Sequence, residues 1–432
     1  MLGLILRTVR LQELAGFDFD QETAAWWVDG LLRQHHFSLI GQETSVPGVF
    51  IAPFFYYLLA PFYLLSGGDP VAGNVLVSLI SVLTMVMIFV LGKELFKTKA
   101  ALLAVFFYTL SFRVNFYDRT VAPSNLVIFL SLFLFYSVWK VRHGQSNWLL
   151  AIFLVIGLGA SIHPAILLYA PLCLFLTWQS RRQISPWIWI LGVSGLILLT
   201  SPLLLFEWRH GFTISQAILK LISTPGANLE AFVFRLGNNW VTVVRSVEDA
   251  FLTLSLGGLA LSALFFLWLS KNPKQNDREK LFFLWLFWPL LILSLYPRAV
   301  PEYYFLPILS LSIVFLPHWF LQLVNKQTLL VKFFPLMLLT IFHLSALASY
   351  SYPVSLAYKK QAVDYIAQVA SSREVDIHYS TDLGQKNGFS YLLFWRGLRQ
   401  SSNSKERYRI VVPAKNVLAP GMLFGAVKVI KE

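Results

Sequence analysis

The chain has 432 residues, of which 56% are hydrophobic, 16% aromatic and only 13% charged. This composition cannot supply the polar surface that a soluble protein of this length requires, so soluble globular classes are excluded. The formal net charge is +13, but the basic residues are scattered through short connections between apolar runs. That distribution is typical of the cytoplasmic loops of a membrane protein and argues against a nucleic-acid partner.

Repeated apolar runs of about 20 residues determine the fold class, because each can cross roughly 30 Å of hydrocarbon. We predict an all-α polytopic membrane protein followed by a small C-terminal α/β domain outside the membrane. The single cysteine, Cys173, lies within an apolar run. It excludes an intramolecular disulfide and a Cys-based zinc cluster.

The chain begins with six apolar residues, too few to span a membrane, and Arg7 and Arg10 follow at once. We interpret this segment as the end of a first membrane helix whose beginning is missing. The acidic stretch Phe17–Glu22 comes next, and residues 24–37 then predict an amphipathic helix at the bilayer surface. Residues 49–65 are apolar but interrupted by two prolines, which indicates a re-entrant or interfacial segment.

Ten further spans bring the predicted total to about eleven, counting the incomplete first helix. Alternate connections carry the basic residues, and the positive-inside rule assigns those connections to the cytoplasm. The acidic stretch, residues 113–121, His163, residues 207–247 and residues 298–302 then all lie on the external side. The predicted spans are 71–91, 99–112, 122–139, 148–162, 164–178, 187–206, 248–270, 281–297, 303–323 and 333–350.

The composition changes at about residue 351, where the membrane domain, residues 1–350, gives way to the C-terminal domain, residues 351–432. Apolar residues between 363 and 370 have helical spacing, and three short runs indicate strands: 375–379, 408–412 and 426–430. This domain also lies outside, because a chain that crosses the membrane eleven times from inside ends outside. The first external loop covers about residues 10–70.

The acidic stretch is the first candidate for chemistry, with Asp18, Asp20 and Glu22. A carboxylate can accept the proton of a hydroxyl or amine acceptor during group transfer. Neighbouring acids can also raise one another's pKa or share a divalent metal ion. The alternative is a helix cap formed by Asp20, with Gln21 and Glu22 in the first turn.

Other polar residues also lie on the predicted external side. Arg119 either binds a lipid phosphate or pairs with Asp118 or a native headgroup. His163, between two spans, is either a structural hydrogen-bonding residue or part of a site. Residues 206–212 contain Glu207, Arg209 and His210, which bind phosphate or metal or anchor the interface. Residues 296–304 contain Glu302 and Tyr303, which belong to an interfacial aromatic belt or to the polar cluster.

Together these features resemble the GT-C class of membrane glycosyltransferases, in the protein O-mannosyltransferase and aminoarabinose transferase superfamily, bacterial or archaeal branch. The resemblance implies a polyprenyl-phosphate-linked sugar as donor and an external carboxylate as general base. By position, Asp20 is that base, and Arg119, Arg209 and His210 are candidates for the lipid phosphate. The resemblance to this superfamily rests on five features: Asp20 with Glu22, the segment Thr44–Ala60, Asp118 with Arg119, His163 with Pro164, and Phe206–Phe212.

The sequence departs from the family motif at one position, since Gln21 separates two acids that are usually adjacent. Glu22 is therefore assigned a supporting or metal-binding role, with Glu207 and His210 as other possible metal ligands. The implied reaction transfers a sugar with inversion to a glycan, lipid or protein acceptor, on the external or periplasmic face of the plasma or inner membrane. Alternatives are a transporter or flippase of lipid-linked saccharides, and a ligase or polymerase that uses pyrophosphate-linked donors.

Overall fold

The structure is a computed structural model that describes residues 1–178, 181, 184–223, 229–252, 262, 265, 276–414 and 420–432. Most of these residues are helical up to Ser349. The helices are α1 Leu2–Thr8, α2 Leu11–Leu14, α3 Phe19–Gln34, α4 Phe54–Leu65, α5 Val71–Phe96, α6 Thr98–Leu110, α7 Phe112–Tyr117, α8 Val127–Arg142, α9 Trp148–Ile162, α10 Pro164–Leu167, α11 Ala170–Trp178, α12 Pro186–Arg209, α13 Thr213–Ser223, α14 Leu229–Leu252, α15 Asp277–Ser294, α16 Leu306–Leu323 and α17 Leu329–Ser349.

The apolar composition is explained by helices that bury some faces against each other and leave others for lipid. At the contact between α5 and α6, a Cβ on Gly92 would lie only 3.0 Å from Ala101 Cα, so the absence of a side chain allows the close approach. Trp285 of α15 is fully buried and stacks on Tyr169 with ring centroids 4.3 Å apart. The predicted class of helical membrane protein is confirmed.

The predicted number of spans is not confirmed. By length and composition, five described helical segments can cross a membrane, and several shorter apolar helices accompany them. The long segments are Val71–Phe96, Pro123–Arg142, Pro186–Arg209, Glu302–Leu323 and Leu329–Ser349; the shorter ones are Phe54–Leu65, Thr98–Leu110, Trp148–Ile162 and Pro164–Trp178.

Residues 207–247, which were predicted to connect two spans on the external side, are mostly helical, since the amphipathic helices α13 and α14 occupy most of this segment. In α14, Val243, Val244 and Val247 are buried, whereas Arg245 on the other face is exposed. This spacing fits a helix that covers the bundle with one face. The predicted span 248–270 falls largely outside the described residues, and its first five residues are the end of α14.

The predicted amphipathic helix at residues 24–37 exists as α3, but it begins at Phe19. The acidic stretch therefore forms the start of a helix. The proline-interrupted segment contains α4, which starts directly after Pro53 and continues through Pro61.

The C-terminal domain is a five-stranded sheet with two helices, α18 Leu356–Val369 and α19 Phe389–Trp395. The strand order is β2-β1-β3-β5-β4; β1 pairs in parallel with β2 and β3, and β5 is antiparallel to β3 and β4. Helix α18 and three strands match the secondary structure predicted for this region. The strands are β1 Glu374–Thr381, β2 Arg399–Gln400, β3 Arg407–Val412, β4 Met422–Phe424 and β5 Val427–Lys431.

Candidate active site

The residue that caps α3 is Asp18, and the alternative in which Asp20 forms the cap is wrong. Asp18 accepts from the backbone N–H of Gln21, and its own N–H donates to Gln21 Oε1 at 2.9 Å, a reciprocal capping box. Gln21 also donates through Nε2 to the Val121 carbonyl at 2.7 Å, which holds α3 against the loop before α8. The inserted glutamine thus has a structural function, and Asp20 is left free of the cap.

The two outer acids of the stretch are both bound by the C-terminal domain. Asp18 accepts from Lys359 Nζ at 2.8 Å and from the Tyr352 hydroxyl at 3.0 Å. Glu22 accepts from the backbone N–H groups of Gly388 at 2.7 Å and Tyr391 at 2.9 Å, at the start of α19. Neither carboxylate is available as a base without breaking these contacts.

Asp20 differs from both neighbours. It is exposed, and its carboxylate has no hydrogen-bond or ion-pair partner among the residues that the structure describes. Protein atoms crowd around it nevertheless. This partial desolvation, followed by the nearby Asp18 carboxylate, raises the pKa of Asp20 above its ordinary value. The charge of Asp20 also interacts with the Tyr56 and Tyr303 side chains, so these residues lie around it.

Aromatic rings from two segments pack together, and one of them, Tyr303, lies near Asp20. His163, between α9 and α10, packs edge-on against Tyr303 and Tyr304, with ring centroids 5.3 and 4.6 Å apart. Its Nδ1 accepts from the Ala165 backbone N–H at 3.2 Å. The Tyr304 hydroxyl lies 2.8 Å from Ser45 Oγ, which joins this group to the first external loop. His163 and Tyr303, two predicted site residues, are therefore in contact with each other.

Asp118 and Arg119 have structural partners. Arg7 is completely buried and donates to Asp118 at 2.8 Å, and Asp118 also accepts from the Tyr108 hydroxyl at 3.0 Å. Arg119 is 5% exposed and donates to the Leu6 carbonyl. Burial, followed by the charge of Arg7, lowers the pKa of Arg119 to about 10. The guanidinium is buried and faces α1, and the role of Arg119 at a lipid phosphate remains a prediction.

Arg209 and His210 lie at the exposed end of α12, next to the first external loop. The His210 ring stacks on Phe206 at 4.2 Å, and Phe206 contacts Phe50 of that loop. Arg209 has no carboxylate partner within the described ranges. Glu207 caps α13, since its carboxylate accepts from the Ile214 N–H at 2.7 Å and the Ser215 N–H at 2.9 Å.

The suggested metal ligands do not come together. Glu22 and Glu207 each hold a helix start, and His210 packs on Phe206. In the part of the chain that the structure describes, no group of three or more His, Cys, Asp or Glu side chains could hold a metal ion. Among the described residues, the suggested ligands Glu22, Glu207 and His210 therefore do not form a metal site.

A second cluster of charged residues, here called the external cluster after the side on which it is predicted to lie, contains residues that sequence analysis did not connect. Glu302 accepts from Arg113 and from the Tyr117 hydroxyl, and Arg113, Arg245 and Glu302 all act electrostatically on Asp249. Sequence analysis did not single out Arg245, because it assigned no helix to residues 229–247. The helical period of that segment would have revealed an apolar face with Arg245 opposite.

A cavity of about 280 Å³ lies below α14 and is almost entirely apolar. Val247 and Phe251 of α14 line it, in the stretch of that helix that also carries Arg245 and Asp249, and Trp319 and Leu323 of α16 line it as well. Along α16 it extends from Ser312 to Leu323, about 16 Å at the helical rise. Charged groups close to the lining of an apolar cavity match an amphiphile that has a polar head and a long apolar tail.

Comparisons with known proteins agree with this architecture. Residues 50–206 match the family described as dolichyl-phosphate-mannose-protein mannosyltransferase. No curated protein sequence matches the chain. The predicted resemblance to GT-C glycosyltransferases of the protein O-mannosyltransferase and aminoarabinose transferase superfamily is confirmed.

Two solved structures of one protein show the same fold over nearly the whole chain. ArnT from Cupriavidus metallidurans bound to undecaprenyl phosphate has a TM-score of 0.62 and 12% identity, covering 99% of this chain and 96% of that one. The apo form of the same protein has a TM-score of 0.63 and 11% identity, again covering 99% of this chain and 96% of that one. The Archaeoglobus fulgidus oligosaccharyltransferase in its apo form has a TM-score of 0.49 and 11% identity, covering 92% of this chain and 63% of that one.

Proposed function

We propose that the protein transfers a glycosyl group from a polyprenyl-phosphate-linked sugar to an acceptor on the external face of the membrane, with Asp20 as the general base. One observation carries the assignment of the base. Of three clustered carboxylates, Asp18 and Glu22 are hydrogen-bonded, whereas Asp20 has no partner among the described residues and has a raised pKa. The fold shared with ArnT, which was crystallised with undecaprenyl phosphate, supports the donor class.

The reaction is a single displacement. An acceptor hydroxyl or amine attacks the anomeric carbon while its proton passes to Asp20. The bond between the anomeric carbon and the phosphate oxygen breaks, and its electron pair remains on the lipid phosphate. Attack opposite to the leaving group inverts the anomeric centre. A raised pKa makes Asp20 a stronger base once it is ionised, as general-base catalysis requires.

The leaving phosphate requires cationic groups to stabilise its charge. We assign this role to Arg209 and His210, which are exposed at the end of α12, and we add Arg245. Arg245 is exposed beside the external cluster, and its helix lines the apolar cavity. The cavity suits the polyprenyl chain in polarity, and because that chain comes from lipid and not from water, van der Waals packing would hold it there.

The aromatic residues beside Asp20 fit a carbohydrate. Tyr303 and His163 offer ring faces and polar edges within one small region, and Ser45 adds a hydroxyl. Sugars present both C–H faces and hydroxyl groups, and aromatic residues with polar edges can contact both. We therefore place the transferred sugar between Asp20 and Tyr303, with glycan, lipid and protein as acceptor classes.

The test uses purified protein in liposomes with a panel of undecaprenyl-phosphate sugars that carry mannose, glucose, galactose or aminoarabinose. Membrane lipids, glycans and envelope proteins serve as acceptors. We expect release of undecaprenyl phosphate that depends on both donor and acceptor, an inverted anomeric linkage in the product, and loss of both in Asp20→Asn. Movement of the intact donor across the bilayer without release would instead establish a flippase. Turnover only with undecaprenyl-pyrophosphate donors would establish a ligase or polymerase.

A further inference from the structure

The C-terminal domain reaches the start of α3 through a buried lysine. Lys359 on α18 is completely buried, and its three ammonium protons are all used. It donates to the Phe17 carbonyl at 2.8 Å, to Asp18 Oδ1 at 2.8 Å and to the Asn387 carbonyl at 2.7 Å. A buried charge is tolerated only when it is paired and fully hydrogen-bonded, and Lys359 meets both conditions. One side chain thus joins the C-terminal domain to the residues directly before Asp20.

A second connection lies on the other side of Asp20. The Glu22 carboxylate accepts from two backbone N–H groups at the start of α19, those of Gly388 and Tyr391. A carboxylate is favoured there by the unpaired N–H groups and partial positive charge of a helix start. Gly388 has φ +92°, and a Cβ at this position would lie 2.2 Å from the Phe17 carbonyl oxygen. The backbone of α19 and that of the acidic stretch therefore fit closely.

Because Asp20 lies between Asp18 and Glu22 at the start of α3, the two connections also restrain Asp20. Asp18 is the N-cap of α3 and Glu22 lies in its first turn, so the C-terminal domain binds the chain on both sides of Asp20. At about 100° per residue, position 20 is about 200° from position 22 and points away from the Glu22 face. A helical turn that is held at both ends by one domain can neither rotate nor slide. The side chain on its opposite face is then fixed as well.

We propose that the C-terminal domain positions the catalytic base, with Lys359 and Glu22 as the positioning residues that hold Asp20 toward the sugar site. This inference rests on the proposed role of Asp20. It makes the C-terminal domain part of the active-site assembly, although Lys359 and Glu22 do not themselves touch the reacting atoms.

The same contacts adjust the electrostatics around Asp20. The charged or titratable groups that face it are Asp18 from its own helix, Tyr56 from α4 and Tyr303 from the turn before α16. Lys359 compensates the charge of Asp18. Without Lys359, the unpaired Asp18 carboxylate would raise the pKa of Asp20 further, because a like charge disfavours ionisation. Asp18→Asn, which removes that charge but keeps an oxygen for the helix cap, would have the opposite effect.

The experiment compares Lys359→Met with Lys360→Met in the full-length protein. Lys360 is the next residue of the same helix and also forms a mostly buried interdomain ion pair, with Asp69 at 2.6 and 2.7 Å. Its hydrogen bonds go to Asp69 and to Gln12 at 3.2 Å, and neither residue belongs to α3. Both substitutions remove one interdomain ion pair, but only Lys359→Met releases the turn that carries Asp20. Glu22→Gln tests the second connection with a smaller change.

Three measurements are made with the donor–acceptor pair that the wild type turns over: kcat and KM, the pH dependence of kcat/KM, and hydrogen–deuterium exchange of residues 19–26. We expect Lys359→Met to lower kcat about 10- to 100-fold, because small misplacements of catalytic groups have effects of this size. KM should change little, exchange at residues 19–26 should increase, and the acidic limb of the profile should move to higher pH. Asp18→Asn should move the acidic limb to lower pH. The kcat of Lys360→Met should remain within about 3-fold of the wild-type kcat.

The outcomes separate the two proposals. Equal losses of kcat in Lys359→Met and Lys360→Met would show that the ion pairs only dock the C-terminal domain. That result would overturn the proposal that Lys359 positions Asp20. Unchanged exchange and pH profile in both Lys359→Met and Glu22→Gln would also overturn it, while inactivity of Asp20→Asn would leave the role of Asp20 intact. Wild-type turnover in Asp20→Asn would instead remove the general base itself. Size-exclusion profiles identify any variant that does not fold, and Glu22→Gln then decides.

Discussion

Replacing Asp20 with asparagine should abolish most activity without destabilising the fold. The carboxylate makes no hydrogen bond or ion pair among the described residues, so the substitution removes no such contact and nearly preserves side-chain volume. A general base contributes about 10²- to 10⁴-fold, and this corresponds to about 2.7–5.4 kcal/mol in the activation free energy. We expect kcat to fall by that factor while KM for the donor changes little.

The sign of the stability effect follows from the pKa shift. The folded-state pKa of Asp20 is raised by desolvation, and secondly by Asp18, so ionisation is less favourable in the folded protein than in the unfolded chain. The resulting loss of stability is present above the folded-state pKa and disappears as the pH falls below the unfolded-state pKa. Asp20→Asn removes it. The variant should therefore unfold at the same or a slightly higher temperature than wild type near neutral pH, and the difference should vanish in acid.

The assay combines steady-state transfer from the undecaprenyl-phosphate donor with thermal unfolding of the same preparation at several pH values. Glu43→Gln is a suitable control, since Glu43 is also an acid of the first external loop and its bond to the Gly48 N–H can be kept by glutamine. That control should retain activity. Either wild-type transfer by Asp20→Asn or a marked fall in its unfolding temperature would refute the reasoning.

Three further predictions concern other parts of the structure. Arg7→Met should destabilise the protein by about 3–5 kcal/mol in thermal or denaturant unfolding, because it leaves a buried carboxylate unpaired, whereas Arg10→Met, which breaks an exposed pair, should cost less than about 1 kcal/mol. Gly388→Ala should lower the unfolding temperature more than Gly384→Ala; both glycines have positive φ, but only at Gly388 would a Cβ meet backbone. Arg245→Gln should raise KM for the donor about 10-fold with a smaller change in kcat, because one charge-assisted hydrogen bond contributes about 1.5–3 kcal/mol; an unchanged KM would remove Arg245 from the phosphate site.

The features that were predictable from sequence are those set by local pattern. Apolar runs indicated membrane helices, alternation in the C-terminal region indicated strands, and clustered carboxylates in a poorly charged chain indicated a site. Arg119 shows the limit of this approach. An arginine beside the membrane has the same local sequence whether it faces a lipid phosphate or a carbonyl such as that of Leu6, and the choice depends on packing between residues 113 positions apart.

Lys359 could not be found from the sequence for a related reason. It lies in an amphipathic helix among other polar residues, and nothing local distinguishes it from Lys360. Its partner Asp18 is 341 positions away. Only the docking of the C-terminal domain on the first external loop gives the two lysines different neighbours and therefore different expected roles.

The spacing of the acidic stretch now has a physical explanation. Asp18 caps α3 and Glu22 lies in its first turn, and the C-terminal domain binds both. Asp20 is about 200° from Glu22 around the helix and points the other way, whereas acids at adjacent helical positions are only about 100° apart. Gln21 completes the capping box and binds the Val121 carbonyl. Among the described residues, the stretch therefore has two bound carboxylates, a glutamine that fixes the helix and one carboxylate without a partner, as the proposed role of Asp20 requires.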